Sequence, residues 1–322
     1  MRILSGIQPS GALHLGNYFG MMRPAIQMQG QNRMETFYFI ADYHALTSVR
    51  DPVVLRENVR KVVWDFLACG LSPEKTCLFL QSAIPTVTEL AWILGTLIPV
   101  GLLERCHAYK EKKAHKLPSS HGLFSYPVLM TADILLYDSD LVLVGKDQKQ
   151  HLEVARDIAI KFNKVYGSVL RLPEPLIQEG TAMIPGIDGS KMSKGYGNTI
   201  EIFLAEEVLR KRIMEIQTDS TPVDQPKSTS GSTILSLYRL VASSSDYQQM
   251  LNEHVHGGTG YSAFKERLFE AVWLFFKPMR RRREELVTSP EVVDQVLKKG
   301  AIRAHTIASE VIERVRSAVG LR

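Results

Sequence analysis

The chain has 322 residues, of which 45% are hydrophobic and 23% charged, a composition that excludes a disordered chain and can bury the core of one large or two moderate domains. Its net charge of +5 favours a polyanionic partner such as nucleic acid without establishing one, because many basic enzymes bind no nucleic acid. No apolar run approaches the roughly 20 residues that span a bilayer, and the amino terminus lacks a signal-peptide pattern, so we expect a cytoplasmic protein.

The first half of the chain alternates β-rich segments with helical patterns, which predicts an α/β fold with a parallel sheet covered by helices. A helix begins after Asp51-Pro52, presents one apolar face and ends at Gly70. Another helix runs from the last strand to about Lys164. The predicted strands are 2–5, 36–41 and 76–80, each too apolar for a surface-facing edge, and 140–145, which is apolar through its middle and closed by glycine.

Beyond Gly197 the sequence changes to an almost continuous helical pattern, which predicts a helical second domain. Pro278 should break one of these helices, because proline cannot donate the backbone hydrogen bond. A polar stretch at 218–232, rich in Ser, Thr, Asp and Pro, is expected to form a long loop. The predicted helices are 203–216, 234–242, 261 to about 287, and 302–319.

Two short motifs carry the candidate chemistry. The first strand leads into Ser5-Gly-Ile-Gln-Pro-Ser-Gly11, and His14-Leu-Gly-Asn17 then opens a helix, an arrangement that brings backbone amides and a helix amino terminus to a bound phosphate or ribose. Lys191-Met-Ser-Lys194 follows Pro185-Gly-Ile-Asp-Gly189 and places two lysines on a glycine-flanked loop, where they can stabilise developing negative charge on a polyphosphate. Taken singly, the first motif also fits a turn that binds nothing, and the second fits two solvated lysines.

In this order the two motifs resemble the paired signatures of class I aminoacyl-tRNA synthetases. Within that class the chain is similar to the bacterial tryptophanyl-tRNA synthetases, which implies a Rossmann-like catalytic domain and a helical anticodon-binding domain. The blocks that carry this narrower resemblance, besides the two motifs, are Asp42-Tyr-His-Ala-Leu-Thr47, Tyr126-Pro-Val-Leu-Met-Thr-Ala-Asp-Ile-Leu-Leu-Tyr137 and Gly145-Lys-Asp-Gln-Lys-Gln-His151.

The resemblance implies a reaction with ATP in which Mg²⁺ is held through the ATP phosphates and not by protein side chains. Its catalytic residues would be His14, Asn17, Lys112, Lys191 and Lys194. The implied ATP contacts are Gln8, Pro9, Ser10, Gly16, Asn17, Gly145, Lys146, Asp147, Ala182, Lys191, Met192, Ser193, Lys194 and Gly195.

The same resemblance implies a tryptophan pocket in which Asp133 accepts the indole N–H. A buried acceptor without its donor costs about 1–3 kcal/mol, which would exclude phenylalanine. Met130 favours tryptophan over tyrosine, because tyrosyl enzymes usually carry glutamine there. The structural alternative is a helix-terminal aspartate that binds no ligand. The pocket residues are Asp133, Met130, His44, Val144 and Gln148.

Three positions depart from the family pattern. Gly195 stands where the signature ends in serine, Lys146 replaces a common acidic residue, and Leu4 stands where several relatives have an aromatic side chain. The run from Arg280 to Arg283 fits either tRNA phosphate contact or a solvated helix surface, since four consecutive side chains point around a helix.

The resemblance implies a catalytic domain over 1–200 with a helical insertion at about 103–138. The helical domain would cover 201–322, and its last helix could pack back on the catalytic domain. The implied partners are tRNA(Trp), L-tryptophan, ATP and a second copy of the chain. A tyrosyl enzyme, a duplicated synthetase without charging activity and a small-molecule adenylyltransferase remain as alternatives. The adenylyltransferase would not explain the helical domain or the block around Asp133.

Overall fold

The structure is a computed structural model that describes residues 1–9, 11–31, 34–106, 120–145, 149–177 and 183–321. Its described strands form one parallel sheet with the order β3-β2-β1-β4-β5. The predicted α/β class and four of these strands are confirmed. The strands are β1 (Arg2–Ile7), β2 (Glu35–Ile40), β3 (Thr76–Leu80), β4 (Leu141–Leu143) and β5 (Glu174–Leu176).

The fifth strand was not predicted. Its three residues, Glu174-Pro-Leu176, include a proline and lack an apolar run, and proline is tolerated where a strand lies at the edge of a sheet. The sheet order also locates a crevice, because the chain builds β2 and β3 on one side of β1 and then β4 and β5 on the other. Ligands of open parallel sheets bind where the strand order reverses in this way, beyond the carboxyl ends of the strands.

Short and long helices cover both faces of the sheet. The described helices of the first half are α1 (Leu15–Asn17), α2 (Arg23–Met28), α3 (Asp42–Ala45), α4 (Pro52–Ala68), α5 (Thr86–Gly95), α6 (Val100–Glu104), α7 (His121–Leu135) and α8 (Lys149–Tyr166), with a π-helical turn at Tyr18–Met22 joining α1 to α2. Those of the second half are α9 (Glu206–Met214), α10 (Thr233–Val241), α11 (Ser244–His256), α12 (Tyr261–Val287) and α13 (Pro290–Val319).

The helical second half differs from the prediction in three ways. Helix α12 runs without a break through Pro278, so the predicted break is wrong. Close to this proline, the guanidinium of Arg280 donates to the carbonyl oxygen of Trp273 and lies 3.6 Å from the centre of that ring. Helix α11 was missed, and α13 begins twelve residues before the predicted start of 302. The predicted loop at 218–232 is confirmed.

The last helix lies against β3. A Cβ atom at Gly300 would stand 1.9 Å from the carbonyl oxygen of Leu78, so only glycine permits this approach of helix to strand. The thiol of Cys77 donates to the carbonyl oxygen of Gly300 at 3.2 Å. Because β3 is an edge strand of the described sheet, helix α13 protects it from pairing with another chain.

One buried ion pair joins the two halves of the chain. Arg283 of α12 donates to the carboxylate of Asp65 in α4 at 2.5 Å, and its guanidinium also lies 4.9 Å from the ring of Phe203. Asp65 is 2% exposed. Of the four consecutive arginines, Arg280 and Arg283 are partly buried, whereas Arg281 and Arg282 are exposed, and Arg281 pairs with Glu285 on the helix surface at 3.4 Å.

Replacing Arg283 by methionine should destabilise the protein by about 3 kcal/mol at pH 7, because it leaves the buried carboxylate without its partner. Burial raises the pKa of Asp65 to about 6 even though Arg283 opposes the shift. Without the arginine this pKa should rise further, so the loss should shrink at pH 5, where Asp65 binds a proton in the folded state. Denaturant unfolding at both pH values measures the effect.

Asp65→Asn in the Arg283→Met background is the control, because it removes the carboxylate that Arg283→Met leaves without a partner. The double variant should recover most of the lost stability at pH 7. A loss that is equal at pH 5 and pH 7 would contradict this role for the ion pair.

Candidate active site

A cavity of about 940 Å³ opens at the carboxyl ends of β1 and β4, at the crevice that the strand order locates. Its lining combines apolar side chains with a few polar groups, as ligand sites commonly do. Leu4, one of the three departures from the family pattern, forms part of one wall. The predicted site residues that line the cavity are Gln8, His14, Gly16, Asn17, His44, Met130, Asp133, Val144, Gly145, Lys191 and Met192.

Other predicted site residues do not line this cavity or cannot be placed. Pro9, Ser193, Lys194 and Gly195 are outside its lining, although Lys194 lies near enough to His14 for its charge to lower the pKa of that imidazole. Six predicted residues lie outside the described part of the chain, and they are Ser10, Lys112, Lys146, Asp147, Gln148 and Ala182.

His14 caps the amino terminus of helix α1. Its Nδ1 accepts a hydrogen bond from the backbone N–H of Asn17 at 3.3 Å, and the side-chain oxygen of Asn17 accepts from the backbone N–H of His14 at 3.4 Å. This reciprocal pair satisfies two backbone donors at the start of the helix. Because Nδ1 is an acceptor, the proton of a neutral His14 ring is on Nε2, which can donate to a ligand.

His14 is neutral at physiological pH. Burial, and then the positive charge of Lys194, lower the pKa of the imidazole from its ordinary value of 6.5 to about 4. The side chain is 5% exposed. His14 can therefore donate a hydrogen bond to a ligand but carries no fixed positive charge.

The free energy of unfolding should fall faster in the wild type than in His14→Asn as the pH is lowered from 7 to 4. Asparagine can still cap the helix but cannot titrate. Unfolded chains protonate His14 near pH 6.5, whereas the folded state takes up this proton only near pH 4, so the wild type should lose up to about 3 kcal/mol across that window. Chemical denaturation at several pH values tests this, and parallel curves for the two proteins would contradict it.

Backbone hydrogen bonds join the segment after the lysine motif to the start of helix α1. The N–H of Leu15 donates to the carbonyl of Ile200 at 2.9 Å, and the N–H of Ile202 donates to the carbonyl of Leu13 at 3.1 Å. The backbone N–H of Gly16 also approaches the sulfur of Met192 at 3.3 Å. The segment that follows the lysine motif therefore packs directly on the helix that begins with His14.

Asn198 organises the lysine loop and was missed in the sequence. Its side chain is 2% exposed. The amide nitrogen donates to Asp188 at 2.8 Å and to the carbonyl of Lys191 at 3.1 Å, and its oxygen accepts from the N–H of Ser193 at 2.8 Å. One buried amide thus holds both ends of the loop, a role that no local pattern in the sequence indicates.

Gly195, the departure within this signature, has room for a larger residue. A Cβ atom there would lie 3.7 Å from the hydroxyl oxygen of Ser193, an ordinary contact. The left-handed residue that ends the loop is Gly197, with φ of 64°, so the backbone requires glycine there and not at 195.

The second lysine of the loop is partly desolvated. Burial lowers the pKa of Lys194 from its ordinary value, and the negative charge of Glu201 opposes this shift.

At the other end of the cavity, the carboxylate of Asp133 has two described partners. Asp133 is 1% exposed and lies on α7. His44 Nε2 is 2.9 Å from Oδ2, and Gln81 Nε2 donates to both carboxylate oxygens at 2.9 and 2.8 Å. Burial raises the pKa of Asp133, whereas the hydrogen bond and charge of His44 and the hydrogen bond of Gln81 lower it.

The wall beside Asp133 also includes an aromatic contact that the sequence did not indicate. The hydroxyl of Tyr126 lies 2.7 Å from His151 Nε2, and the rings of His44 and Tyr126 are 6.3 Å apart in an edge-to-face arrangement. Met130 and Val144 complete this part of the lining. The region thus has flat apolar walls and one buried carboxylate.

A comparison with known proteins identifies the family. The family described as class I tRNA synthetases (W and Y) matches residues 1–277. The chain belongs to this family. It is therefore an aminoacyl-tRNA synthetase, which accounts for a nucleotide-type motif and a lysine loop beside one cavity.

Individual relatives agree with this assignment. A tryptophan–tRNA ligase of Rhodopirellula baltica is 50% identical over 322 residues, which cover 100% of each chain. The corresponding protein of Fusobacterium nucleatum is 49% identical over 321 residues, which cover 99% of this chain and 98% of the relative. The crystal structure of tryptophanyl-tRNA synthetase from Campylobacter jejuni complexed with ADP and tryptophan matches with a TM-score of 0.92 and 45% identity, over 99% of this chain and 100% of that one.

Proposed function

We propose that the cavity activates L-tryptophan with ATP, forming tryptophanyl-adenylate and pyrophosphate, and that the chain then transfers tryptophan to the 3′ end of tRNA(Trp). It thus acts as a tryptophan–tRNA ligase. The observation that carries the proposal is the position of a buried carboxylate, Asp133, in the same cavity as His14 and Lys191. A pocket for an N–H donor and a site for phosphate are therefore adjacent.

Activation needs placement and charge stabilisation more than proton transfer, because the tryptophan carboxylate is itself the nucleophile that attacks the α-phosphorus. His14 donates to phosphate from Nε2, and Asn17 holds the ring in the required orientation. Lys191 and Lys194 stabilise the departing pyrophosphate. Lys112, which lies outside the described residues, is expected to assist them.

Nucleotide binding follows the same arrangement. We propose that adenine and ribose lie along the carboxyl ends of β1 and β4, between Gln8 and Gly145. Mg²⁺ would neutralise charge on the ATP phosphates. The described protein groups at this end of the cavity are hydrogen-bond donors and lysines, which suit phosphate oxygens. Among the described residues, no group of three His, Cys, Asp or Glu side chains could hold a metal ion. The remaining proposed ATP contacts are Pro9, Ser10, Gly16, Lys146, Asp147, Ala182, Met192, Ser193 and Gly195.

Tryptophan is proposed to lie with its indole N–H on Asp133. Met130 and Val144 would contact the ring, and His44 would border it while holding the carboxylate. Gln148, which lies outside the described part of the chain, is expected near the amino acid and the nucleotide.

The helical half is proposed to recognise the tRNA. The catalytic domain would cover 1–200, with the helical insertion at about 103–138, and the anticodon-binding domain 201–322. Arg281 and Arg282 are the exposed members of the arginine run and are suited to phosphate contact.

Among the described helices, none has the length and apolar character needed to cross a membrane. We propose that the protein works in the cytoplasm.

A homodimer is the proposed assembly. Trp92 on α5 and Val100 on α6 are 77% and 62% exposed, and large apolar side chains at this level of exposure suit a protein interface. Light scattering should give twice the mass of one chain, and a single-chain mass at micromolar concentration would contradict the dimer.

The test of the amino-acid assignment is the exchange of pyrophosphate into ATP, measured with each amino acid in turn. Exchange should respond to tryptophan, and a response to tyrosine alone would instead identify a tyrosyl enzyme. Charging of tRNA(Trp) is the second measurement. Tryptophan binding without charging would identify a synthetase-like protein that has lost aminoacylation.

A further inference from the structure

One buried glutamine at the tryptophan end of the cavity has no role in the mechanism described above. Gln81 follows β3 directly, in a short 3₁₀ turn at Gln81–Ala83, and its side chain is fully buried. Its side chain contacts both α3, at Tyr43 and His44, and α7, at Asp133. A buried amide must satisfy both its oxygen and its nitrogen, so its partners define what it does.

The orientation of the Gln81 amide is fixed by the backbone. Its oxygen accepts from the N–H of Tyr43 at 3.0 Å and more weakly from the N–H of His44 at 3.4 Å. Its nitrogen donates to both oxygens of Asp133. The flipped amide would set its NH₂ group against two backbone donors and its oxygen against a carboxylate, so only one orientation is compatible with these neighbours.

The carboxylate of Asp133 retains capacity for one more donor. Its two oxygens offer about four acceptor positions. Among the described contacts, Oδ2 receives Gln81 and His44, whereas Oδ1 receives Gln81 alone. One position on Oδ1 is therefore left for a ligand N–H.

We infer that Gln81 is a positioning residue for tryptophan selection, which orients the Asp133 carboxylate as the acceptor of the indole N–H. The inference rests on the proposed function of this cavity. Burial raises the pKa of Asp133, and Gln81 is one of the two described groups that oppose this through hydrogen bonds. Without the amide, Asp133 takes up a proton more readily and offers only a neutral, weaker acceptor.

The test uses tryptophan and its analogue β-(benzothiophen-3-yl)alanine, in which sulfur replaces the indole N–H while the two-ring shape is kept. The measured quantity is the ratio of kcat/KM for the two amino acids in pyrophosphate exchange. The wild type should prefer tryptophan by about 10- to 100-fold, the factor expected for a buried acceptor left unpaired. Gln81→Met should reduce this ratio about tenfold, because a neutral acceptor replaces a charged one. A merely structural role would lower both rates and leave the ratio unchanged.

Gln81→Glu is the second variant, and it tests the donor directly. A protonated glutamic acid can accept from Tyr43 and donate to Asp133 as glutamine does, whereas an ionised one repels Asp133. The ratio should therefore recover in this variant as the pH is lowered from 8 to 5.5. Other titratable groups near Asp133 are Asp42 and His44 of α3, and Tyr126 and Tyr137 around α7. All four groups are also present in the wild type, so measuring the wild type at the same pH values accounts for their titration.

Gln29→Met is the matched control. Gln29 is also a bridging amide, since its nitrogen donates to the carbonyl of Gly70 at 2.8 Å and its oxygen accepts from the N–H of Ser72 at 2.7 Å. It does not line the cavity, so its ratio should equal that of the wild type.

The outcomes separate the inference from the function on which it rests. A wild type that does not distinguish the two amino acids would overturn the role of Asp133, and the role of Gln81 with it. A wild type that prefers tryptophan, with the preference unchanged in Gln81→Met, would overturn the role of Gln81 alone. If the methionine variant does not fold, a pH-independent ratio in Gln81→Glu overturns it instead.

Discussion

Asp133→Ala should lower kcat/KM for tryptophan in pyrophosphate exchange on the order of 100-fold, with the KM for ATP changed by less than about threefold. The carboxylate is the only acidic side chain among the described residues that line the cavity, so its removal leaves the indole N–H without a charged acceptor. His44 and Gln81 also lose their partner and can turn towards the ligand. The variant should therefore discriminate poorly between tryptophan and phenylalanine.

Asp157→Ala is the matched control for this change. Asp157 is an exposed aspartate on α8 and does not line the cavity, so its kinetics should match those of the wild type. A variant at 133 that loses ATP binding as strongly as tryptophan binding would show that Asp133 serves the nucleotide.

Lys194→Ala should reduce kcat for activation by roughly 100- to 1000-fold, the loss expected when one group that stabilises transition-state charge is removed. The KM for tryptophan should change by less than about threefold, because Lys194 lies outside the cavity lining and near His14, where the proposed mechanism puts the phosphates. Rapid-quench measurement of adenylate formation separates this step from tRNA charging.

Lys211→Ala provides the control, since Lys211 is an exposed lysine on α9 that does not line the cavity. Should Lys194→Ala weaken tryptophan binding and leave the rate of adenylate formation intact, the roles of Lys194 and Asp133 would have to be exchanged.

The parts of the fold that the sequence predicted best are those governed by local apolar pattern. Strands β2 and β3 are buried on both faces, and their continuous apolar runs show this directly. Helix α11 was missed because its sequence, SSDYQQMLNEHVH, is largely polar and buries only Met250 and His254. Its start is marked by Ser243, which accepts from the N–H of Asp246 at 3.1 Å and so caps the helix.

In the candidate site, the residues of ordered motifs were predictable, whereas those that support them were not. His14 and Lys191 belong to recognisable patterns and line one cavity. Gln81 and Asn198 act through contacts with segments distant in the sequence or on the far side of a loop, and a single glutamine or asparagine carries no periodic signal. Arg283 illustrates the same limit, because its partner Asp65 lies 218 positions away.

The most direct test of the central claim is a crystal structure of the protein with tryptophan and a non-hydrolysable ATP analogue. The indole nitrogen should lie within about 3.2 Å of an oxygen of Asp133, and the phosphates should lie between His14 and the two lysines of the loop. Tryptophan bound away from Asp133, or phosphates that avoid His14 and Lys194, would contradict the account.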